Sequence, residues 1–352
     1  MINIKEAIIT LPAYEVPQQA RIKLNQNESP YDIPVEYKKE IFSRLQRIPW
    51  NRYPVENPEG LKRELSDYTN YPADGIVVGN GSNELILAIM LAICNKGDTI
   101  TVIKPGFAIY SYLARVLQLK VDKVPLKSDF TFDVKAFCRS AYNSKLVIFA
   151  SPNNPTGTAM DIDGIEEVVK MKKCIVAVDE AYYEFHRLTC QKLLDRYRNL
   201  LILRTFSKAF GIAGIRLGYL LCQSEVAKQL VKAKLPFSVG IFQQISAQYL
   251  LTKKRFFYAV VQKIIAEREN VFNTLKDISG IVPIPSRANF ILFGIKNSSS
   301  VRLFEELYKR GILVRRFSDP ALENMLRVTI GKPEENKEFI KVMKQLMKKI
   351  GG

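Results

Sequence analysis

Short apolar segments alternate with segments of helical periodicity between about Gly75 and Gln223. Apolar runs rich in Val, Ile and Leu are typical of strands that are buried on both faces of a parallel sheet. Residues 85–93 form the clearest helix between them, because their apolar side chains recur on one face. The alternation predicts a large α/β domain with a mostly parallel sheet, whose strands are residues 76–78, 99–103, 121–125, 146–150, 175–178, 200–204 and 218–222.

The pattern changes after about Pro236. It predicts a long helix over residues 243–276, a closing helix at the end of the chain, and between them strands at residues 289–293, 312–317 and 326–330. Gly311 follows a helical segment at the place where a left-handed C-terminal residue is expected. We therefore predict an N-terminal segment that contributes to the small domain, a large α/β domain and a small α+β domain, namely residues 1–37, 38–240 and 241–352.

Length and composition agree with a globular protein. A chain of 352 residues with 47% apolar composition can bury one large core and a smaller one. Residues 1–16 do not resemble a secretory signal, and the most apolar stretch, residues 85–94, is shorter than the roughly 20 residues that span a bilayer. We expect a cytoplasmic protein without a membrane segment.

The charge and the rarer residues exclude several kinds of site. Lys and Arg outnumber Asp and Glu by 52 to 35, but they are scattered, which favours a surface that attracts anionic small molecules over specific nucleic-acid binding. His186 is the only histidine, so Ser-His-Asp triads and histidine-rich metal sites are excluded. The five cysteines occur singly, without the spacing of a metal site. We expect no metal.

Three polar loops follow predicted strands. They are residues 151–157 (SPNNPTG), residues 179–182 (DEAY) and residues 205–208 (TFSK). In an open parallel sheet the ligand crevice lies beyond the carboxyl ends of the strands. The three loops are therefore expected to meet in one crevice.

The side chains of these loops suit an aromatic aldehyde cofactor with a ring nitrogen. Lys208 can form an imine with the aldehyde, and Asp179 can pair with the ring nitrogen and keep it protonated. Asn154 and Tyr182 can donate hydrogen bonds to the phenolic oxygen of the ring. Each residue alone has a more ordinary explanation as a surface lysine, a cap or a turn residue. Together, each behind its own strand, they predict pyridoxal 5′-phosphate bound at Lys208.

A second group of residues suits the phosphate of that cofactor. Residues 79–83 (GNGSN) come directly before a helix, where backbone N–H groups and the helix dipole favour an anion. A guanidinium can contact two phosphate oxygens at once, and an aromatic side chain can stack on the ring. The candidate cofactor-binding residues are accordingly Ser82, Asn83, Phe107, Thr205, Ser207 and Arg216.

Four strings in the chain resemble the class I/II aminotransferases of fold type I: GNGSNE, SPNNPTG, VDEAYYEF and RTFSKAFGIAGIRLGY. The resemblance covers nearly the whole chain and is greatest to the histidinol-phosphate aminotransferases. It implies the fold of the pyridoxal-phosphate transferases, with Lys208, Asp179 and Tyr182 as the catalytic residues. It also implies transamination of L-histidinol phosphate with 2-oxoglutarate, which yields imidazole acetol phosphate and L-glutamate in histidine biosynthesis.

The resemblance adds roles that the residues alone do not suggest. It implies that Tyr53 reaches the cofactor phosphate of the neighbouring subunit in a homodimer. It also implies substrate contacts, with the two arginines holding the phosphate or carboxylate of the substrate, at Tyr14, Asn27, Arg315 and Arg327. The sequence departs from the family at Gln26, Asn83 and Phe107, where Glu, Asp and Tyr are common. These departures leave the reaction class intact and bear on the substrate.

Three alternatives stay open at this point. An aromatic amino-acid aminotransferase and a threonine-phosphate decarboxylase share the fold, and sequence separates them poorly from the first choice. A ligand-sensing regulator built on the same fold is a more remote alternative, supported only by the net charge of +17. Residues 1–53 are short and interrupted by proline, which argues against an added DNA-binding module.

Overall fold

A seven-stranded sheet lies at the centre of the computed structural model, which describes residues 4–11, 19–171, 173–296 and 299–350. Its strand order is β2-β8-β7-β6-β5-β3-β4, and β8 alone runs antiparallel to its neighbours. This confirms the predicted α/β class with a mostly parallel sheet. The strands are β2 Ile76–Gly79, β3 Thr99–Lys104, β4 Lys120–Pro125, β5 Leu146–Ala150, β6 Ile175–Asp179, β7 Leu200–Thr205 and β8 Gly218–Leu221.

Both faces of this sheet are covered, as near-continuous apolar strands require. In β5, Val147 and Phe149 pack into one core cluster, whereas Leu146 and Ile148 pack into another on the opposite face. All five residues of β5 are at most 1% exposed. The period of two along a strand therefore places alternate side chains in different cores. The covering helices are α2 Val35–Leu45, α3 Glu59–Thr69, α4 Gly81–Ile93, α5 Ala108–Val116, α6 Val134–Ala141, α7 Ile162–Lys170, α9 Ser224–Leu230 and α10 Ile241–Leu251.

A smaller antiparallel sheet follows in the C-terminal part, with the strand order β12-β13-β10-β9. A separate parallel pair joins β1 Ile22–Lys23 to β11 Ile312–Leu313, so the N-terminal segment is tied to this part of the molecule. The division at residues 37/38 and 240/241 stays a prediction. The remaining strands are β9 Ile281–Pro283, β10 Phe290–Ile295, β12 Arg315–Arg316 and β13 Met325–Thr329.

A third core cluster lies against the smaller sheet and is covered by the last helices of the chain. Among the residues that the structure describes, no helix is long and apolar enough to cross a membrane. The remaining helices include two very short ones. The helices not yet given are α1 Glu6–Ile9, α8 Tyr183–His186, α11 Lys254–Lys276, α12 Ser300–Lys309 and α13 Pro333–Ile350.

Two predicted elements are divided in the structure. The single helix predicted for residues 243–276 is wrong, because α10 ends at Leu251 and α11 begins at Lys254. The Thr252 hydroxyl bonds the carbonyl of Tyr249, a local bond that competes with the helical pattern. The break redirects the chain: α10 packs on α2 and α3, whereas α11 packs on β9 and α13. Tertiary packing thus overrides a continuous helical periodicity.

The strand predicted for residues 312–317 is likewise two short strands. The first, β11, pairs with β1, and the second, β12, pairs with β13 in the smaller sheet. The chain changes partner at Val314, which is only 1% exposed. A short stretch of strand-forming residues carries no signal for such a change of partner.

Gly311 lies after α12 with a φ of +76°, as its predicted position requires. We expect Gly311→Ala to destabilise the protein by about 1 kcal/mol, because a Cβ is disfavoured in left-handed backbone. Space is not the limitation, since the added Cβ would lie 3.5 Å from Cβ of Arg21. Urea unfolding followed by circular dichroism measures the change.

Gly294 provides the matched control. It lies in β10 without a positive φ, and an added Cβ would be 3.7 Å from the nearest atom, Cε of Met325. Gly294→Ala should be neutral or slightly stabilising, because alanine loses less backbone entropy on folding. Equal losses in the two variants would contradict the conformational explanation.

Candidate active site

The three polar loops leave neighbouring parallel strands at the same edge of the large sheet. The register places Ala150 of β5 beside Asp179 of β6, and Asp179 beside Leu203 of β7. The loop after β5 is fixed where it begins, because the Ser151 N–H donates to the Asp179 carbonyl over 3.0 Å. The structure therefore brings the loops of Asn154, Asp179 and Lys208 together, as the sequence predicts.

Lys208 is three residues beyond the end of β7 and is half-buried. Its Nζ donates a hydrogen bond to the Gln26 carbonyl over 3.0 Å and lies 6.0 Å from the centre of the Tyr182 ring. Burial, with a smaller contribution from the charge of Arg327, lowers the pKa of Lys208 to about 8. The amine therefore loses its proton more readily than an ordinary lysine, as a nucleophile or base must.

Asp179 is the last residue of β6 and is 3% exposed. Burial raises its pKa to about 6, against the opposing effect of two hydrogen bonds. These come from the Tyr110 hydroxyl to Oδ2 over 2.7 Å and from the Ala181 N–H to Oδ1 over 3.0 Å. A buried carboxylate of this kind is stabilised by a nearby cation. The protonated ring nitrogen of pyridoxal 5′-phosphate fits this requirement.

Tyr110 is a candidate site residue that the sequence patterns did not indicate. It is 2% exposed and lies on α5, three residues after Phe107, whose ring meets the Tyr110 ring edge-on at 5.4 Å. Burial and the adjacent Asp179 carboxylate raise the pKa of the phenol. The helical spacing between the two aromatic residues is the only signal in the sequence, and it does not identify Asp179 as the partner.

Tyr182 and Asn154 each use one polar atom inside the protein. The Tyr182 hydroxyl accepts a hydrogen bond from Nδ2 of Asn27 over 2.9 Å, and burial raises its pKa to about 12. Oδ1 of Asn154 accepts from Nη1 of Arg327 over 2.5 Å. These contacts leave the phenol hydrogen of Tyr182 and Nδ2 of Asn154 as the groups that can donate to a ligand.

The N-terminus of α4 forms a cradle suited to an anion. Oδ1 of Asn80 accepts from Nε2 of Gln243 over 3.0 Å and makes no capping bond to α4, so the first amides of the helix are not capped by it. A Cβ on Gly81 would lie 2.7 Å from Nη2 of Arg216, and one on Gly218 would lie 2.5 Å from the backbone nitrogen of Ser82. Glycine is thus required for this close approach.

The other predicted phosphate-binding residues meet at the same place. Nη1 of Arg216 is 3.4 Å from Oγ of Ser207, and the Ser207 N–H donates to Oγ1 of Thr205 over 3.1 Å. Arg216 has a φ of +60°, and its carbonyl accepts a hydrogen bond from Nε2 of Gln243. Asn83 lies exposed in the first turn of α4. Backbone amides, hydroxyls and a guanidinium, all of which can bind an anion, therefore lie close together at the start of α4.

The two predicted substrate arginines are directly opposite each other in the β12–β13 ladder. Arg315, with Phe107, lines a cleft of about 940 Å³. Arg327 is 5% exposed, and its Nη2 donates to the Asn25 carbonyl over 2.7 Å. Its guanidinium lies 5.1 Å from the centre of the Phe290 ring. One arginine is therefore held firmly and the other faces the cleft.

The three further predicted residues differ in their placement. Asn27 is 1% exposed, and its amide contacts Tyr182 and Thr329. Tyr53 is 83% exposed, and its ring stacks on that of Phe237 at 4.8 Å. Tyr14 lies outside the described residues.

Comparison with known proteins agrees with this arrangement. The family model of the aminotransferases of class I and II matches residues 20–343. Histidinol-phosphate aminotransferase 1 of Carboxydothermus hydrogenoformans is 39% identical over 348 residues, which cover 97% of this chain and 98% of that protein.

Solved structures show the same likeness. The histidinol-phosphate aminotransferase of Clostridium acetobutylicum superposes with a TM-score of 0.86 at 25% identity, covering 93% of this chain and 99% of the other. The histidinol-phosphate aminotransferase of Sinorhizobium meliloti in complex with pyridoxal 5′-phosphate has a TM-score of 0.90 at 22% identity, covering 99% and 98%. At 22% identity, the likeness to the second structure establishes a shared fold only.

We expect the affinity of the apoprotein for pyridoxal 5′-phosphate to fall as the pH falls through about 6, the raised pKa of Asp179. Below that pH the carboxyl is neutral and no longer attracts a cationic ring. Tyr110→Phe removes a hydrogen bond that lowers this pKa, so the loss of affinity should begin at higher pH. Absorbance titrations from about pH 5 to about pH 8 measure the midpoint.

Tyr112→Phe is the control, since Tyr112 lies on the same helix but is 39% exposed. The phosphate of the ligand also titrates in this range, and comparing variants removes its contribution. Identical midpoints for Tyr110→Phe and the control would mean that Tyr110 does not stabilise the charged form of Asp179.

Proposed function

Because this chain belongs to the class I and II aminotransferases, whose cofactor is pyridoxal 5′-phosphate, we propose that it transfers the amino group of L-histidinol phosphate to 2-oxoglutarate. The products are imidazole acetol phosphate and L-glutamate. The observation that carries the proposal is the convergence of Asn154, Asp179 and Lys208 at the carboxyl ends of three adjacent strands. Relatives that are histidinol-phosphate aminotransferases, and whose matches cover 94–98% of the chain, support the substrate.

The cofactor supplies an electron sink when it is bound. Lys208 would hold it covalently through Nζ, and the Asp179 carboxylate would pair with the ring nitrogen. Tyr182 and Asn154 would donate to the phenolic oxygen, and Phe107 would cover the ring. The phosphate would be bound in the cradle at the start of α4, by Ser82, Asn83, Thr205, Ser207 and Arg216.

Lys208 is also proposed as the residue that moves the proton. Once an amino substrate takes its place, Nζ is free to remove the proton from the substrate carbon that bears the nitrogen. The lowered pKa, about 8, makes the neutral amine accessible near physiological pH. The Gln26 carbonyl, 3.0 Å from Nζ, accepts a hydrogen bond from the free amine and keeps it inside the site.

The two substrates share anionic groups, and this fits two arginines that lie opposite each other on neighbouring strands. Arg327 is fixed by Asn154 and by the Asn25 carbonyl, and its guanidinium lies 5.1 Å from the centre of the Phe290 ring and 5.7 Å from that of Phe317. We assign it to a carboxylate. Arg315, which lines the cleft, suits the phosphate of L-histidinol phosphate. Alternate binding of the two substrates then needs no separate site.

A homodimer is the proposed assembly, with Tyr53 reaching the neighbouring site. An apolar patch surrounds this residue: Trp50 is 71% exposed, Val55 65%, Leu235 72% and Phe237 43%. Exposed apolar patches of this kind are typical of protein interfaces. Within the patch, the ring of Tyr53 stacks on that of Phe237. A role in amino-acid biosynthesis fits the cytoplasmic location expected from the sequence.

The identity of the substrate can be tested through the first half of the reaction. L-Histidinol phosphate should convert the holoenzyme to its amino form, seen as bleaching of the visible band, about 100-fold faster than an aromatic amino acid at equal concentration. The reason is that Arg315 stays unpaired with a substrate that lacks phosphate. Stopped-flow absorbance measures both rates, and 2-oxoglutarate should restore the band.

Arg315→Gln should remove most of this preference, whereas Arg302→Gln should retain it. Arg302 is exposed on α12 and does not line the cleft, so it serves as the matched control. Faster reaction with aromatic amino acids would establish the first alternative substrate class. Release of carbon dioxide from threonine phosphate would establish the decarboxylase.

The proposed assembly can be tested at the apolar patch. Leu235→Glu places a charge in the apolar patch, so sedimentation should show monomers at concentrations where the parent protein is a dimer. Tyr53→Phe should leave the dimer intact and weaken cofactor binding by about tenfold, the effect of one lost hydrogen bond to a charged group.

Leu188→Glu is the control, because Leu188 is 51% exposed and lies outside the patch. A Leu235→Glu protein that stays dimeric would contradict the proposed interface. Unchanged cofactor binding in Tyr53→Phe would contradict only the proposed contribution of Tyr53 to the neighbouring site, and not the interface.

A further inference from the structure

Three consecutive residues of the N-terminal segment contact three different side chains of the candidate site. The Asn25 carbonyl accepts from Nη2 of Arg327 over 2.7 Å, and the Gln26 carbonyl accepts from Nζ of Lys208 over 3.0 Å. Nδ2 of Asn27 donates to the Tyr182 hydroxyl over 2.9 Å. One short stretch of backbone, which follows β1 of the separate β1–β11 pair, thus reaches across the site.

Asn27 has the least ordinary backbone of the three. Its φ is +55°, in the left-handed region that asparagine tolerates better than most residues. Its N–H donates to Oγ1 of Thr329 over 2.9 Å, and its carbonyl accepts from Nδ2 of Asn289 over 3.1 Å. Both residues lie at the ends of strands in or next to the smaller sheet. The surrounding sheet therefore holds this conformation.

The direction of the bond to Tyr182 follows from Thr329. Oγ1 of Thr329 already accepts the backbone N–H of Asn27, and its own hydrogen is donated to Oδ1 of Asn27 over 3.2 Å. The opposite orientation of the amide would leave that hydroxyl hydrogen without its acceptor. Nδ2 consequently faces Tyr182, and the phenol oxygen accepts.

We propose that Asn27 is a positioning residue that acts through Tyr182. By donating to the phenol oxygen it directs the phenol hydrogen into the site, toward the ring oxygen of the cofactor. This rests on the proposed function, in which Tyr182 donates to that oxygen. It differs from the substrate contact that the family resemblance implies for Asn27.

The physical basis is cooperativity between two hydrogen bonds in a chain. A hydroxyl whose oxygen accepts a bond becomes a stronger donor, and the effect is larger in a buried site. Tyr182 is 4% exposed, and its ring packs edge-on against Phe290 at 5.2 Å. The charged groups that face it are Asp179, Lys208 and Arg327. None of these is altered when Asn27 is replaced by glycine.

The experiment is a pH titration of the visible absorption of the holoenzyme. Asn27→Gly retains a backbone that readily adopts positive φ and removes only the amide. A weaker Tyr182 donor stabilises the ionised ring oxygen less, so the apparent pKa of the chromophore should rise by about half a unit. Tyr182→Phe should raise it further.

The double variant decides whether Asn27 acts through Tyr182. In the Tyr182→Phe background, Asn27→Gly should produce no additional shift. An equal shift in both backgrounds, or no shift in the single variant, overturns the inference. Thr329→Val, nearly the same shape, removes the bond to Oδ1 and also the acceptor of the Asn27 N–H, and it should shift the pKa in the same direction. It supplies the measurement if Asn27→Gly does not fold.

The two proposals fail in different ways. If the parent holoenzyme shows no titrating visible band, or if Tyr182→Phe leaves the pKa unchanged, the assignment of the site itself is wrong. If Tyr182→Phe shifts the pKa but Asn27→Gly and Thr329→Val do not, only the role of Asn27 is wrong.

Discussion

The site depends on keeping a charged carboxylate inside an apolar sheet. Asp179 follows four residues of β6, three of which are fully buried, and burial alone favours its neutral form. The hydrogen bonds from Tyr110 and Ala181 offset part of this cost, and a cationic ring would offset more. The geometry around Asp179 is therefore better suited to a protein with a protonated heterocycle bound than to the protein alone.

The neighbouring residue shows a different solution to the same constraint. Glu180 is 2% exposed and accepts two bonds from Arg204 of β7, at 3.0 Å from Nε and 2.9 Å from Nη2. The Arg204 guanidinium also lies 4.0 Å from the centre of the Tyr183 ring. This pair is satisfied within the protein and joins the ends of β6 and β7. It fixes the two strands from which Asp179 and Lys208 project, whereas Asp179 itself stays available to a ligand.

The second half of the site comes from the smaller sheet. Arg327 on β13 bonds Asn154, and Asn27 bonds both Tyr182 and Thr329 of β13. The parts that carry the candidate cofactor-binding residues and the proposed substrate arginines are therefore joined by hydrogen bonds inside the site. A change at Arg327 can reach Asn154 through one bond.

The sequence by itself determined the strands of the large sheet and the residues that follow them, because apolar runs and polar loops are local patterns. Lys208, Asp179 and Asn154 could be chosen for that reason. Only the tertiary structure decided that Tyr110 bonds Asp179, that α10 and α11 are separate, and that Asn27 bonds Tyr182. These depend on contacts between distant parts of the chain, such as the 302 positions that separate Asn27 from Thr329. Local periodicity carries no information about which distant partner a buried polar group will meet.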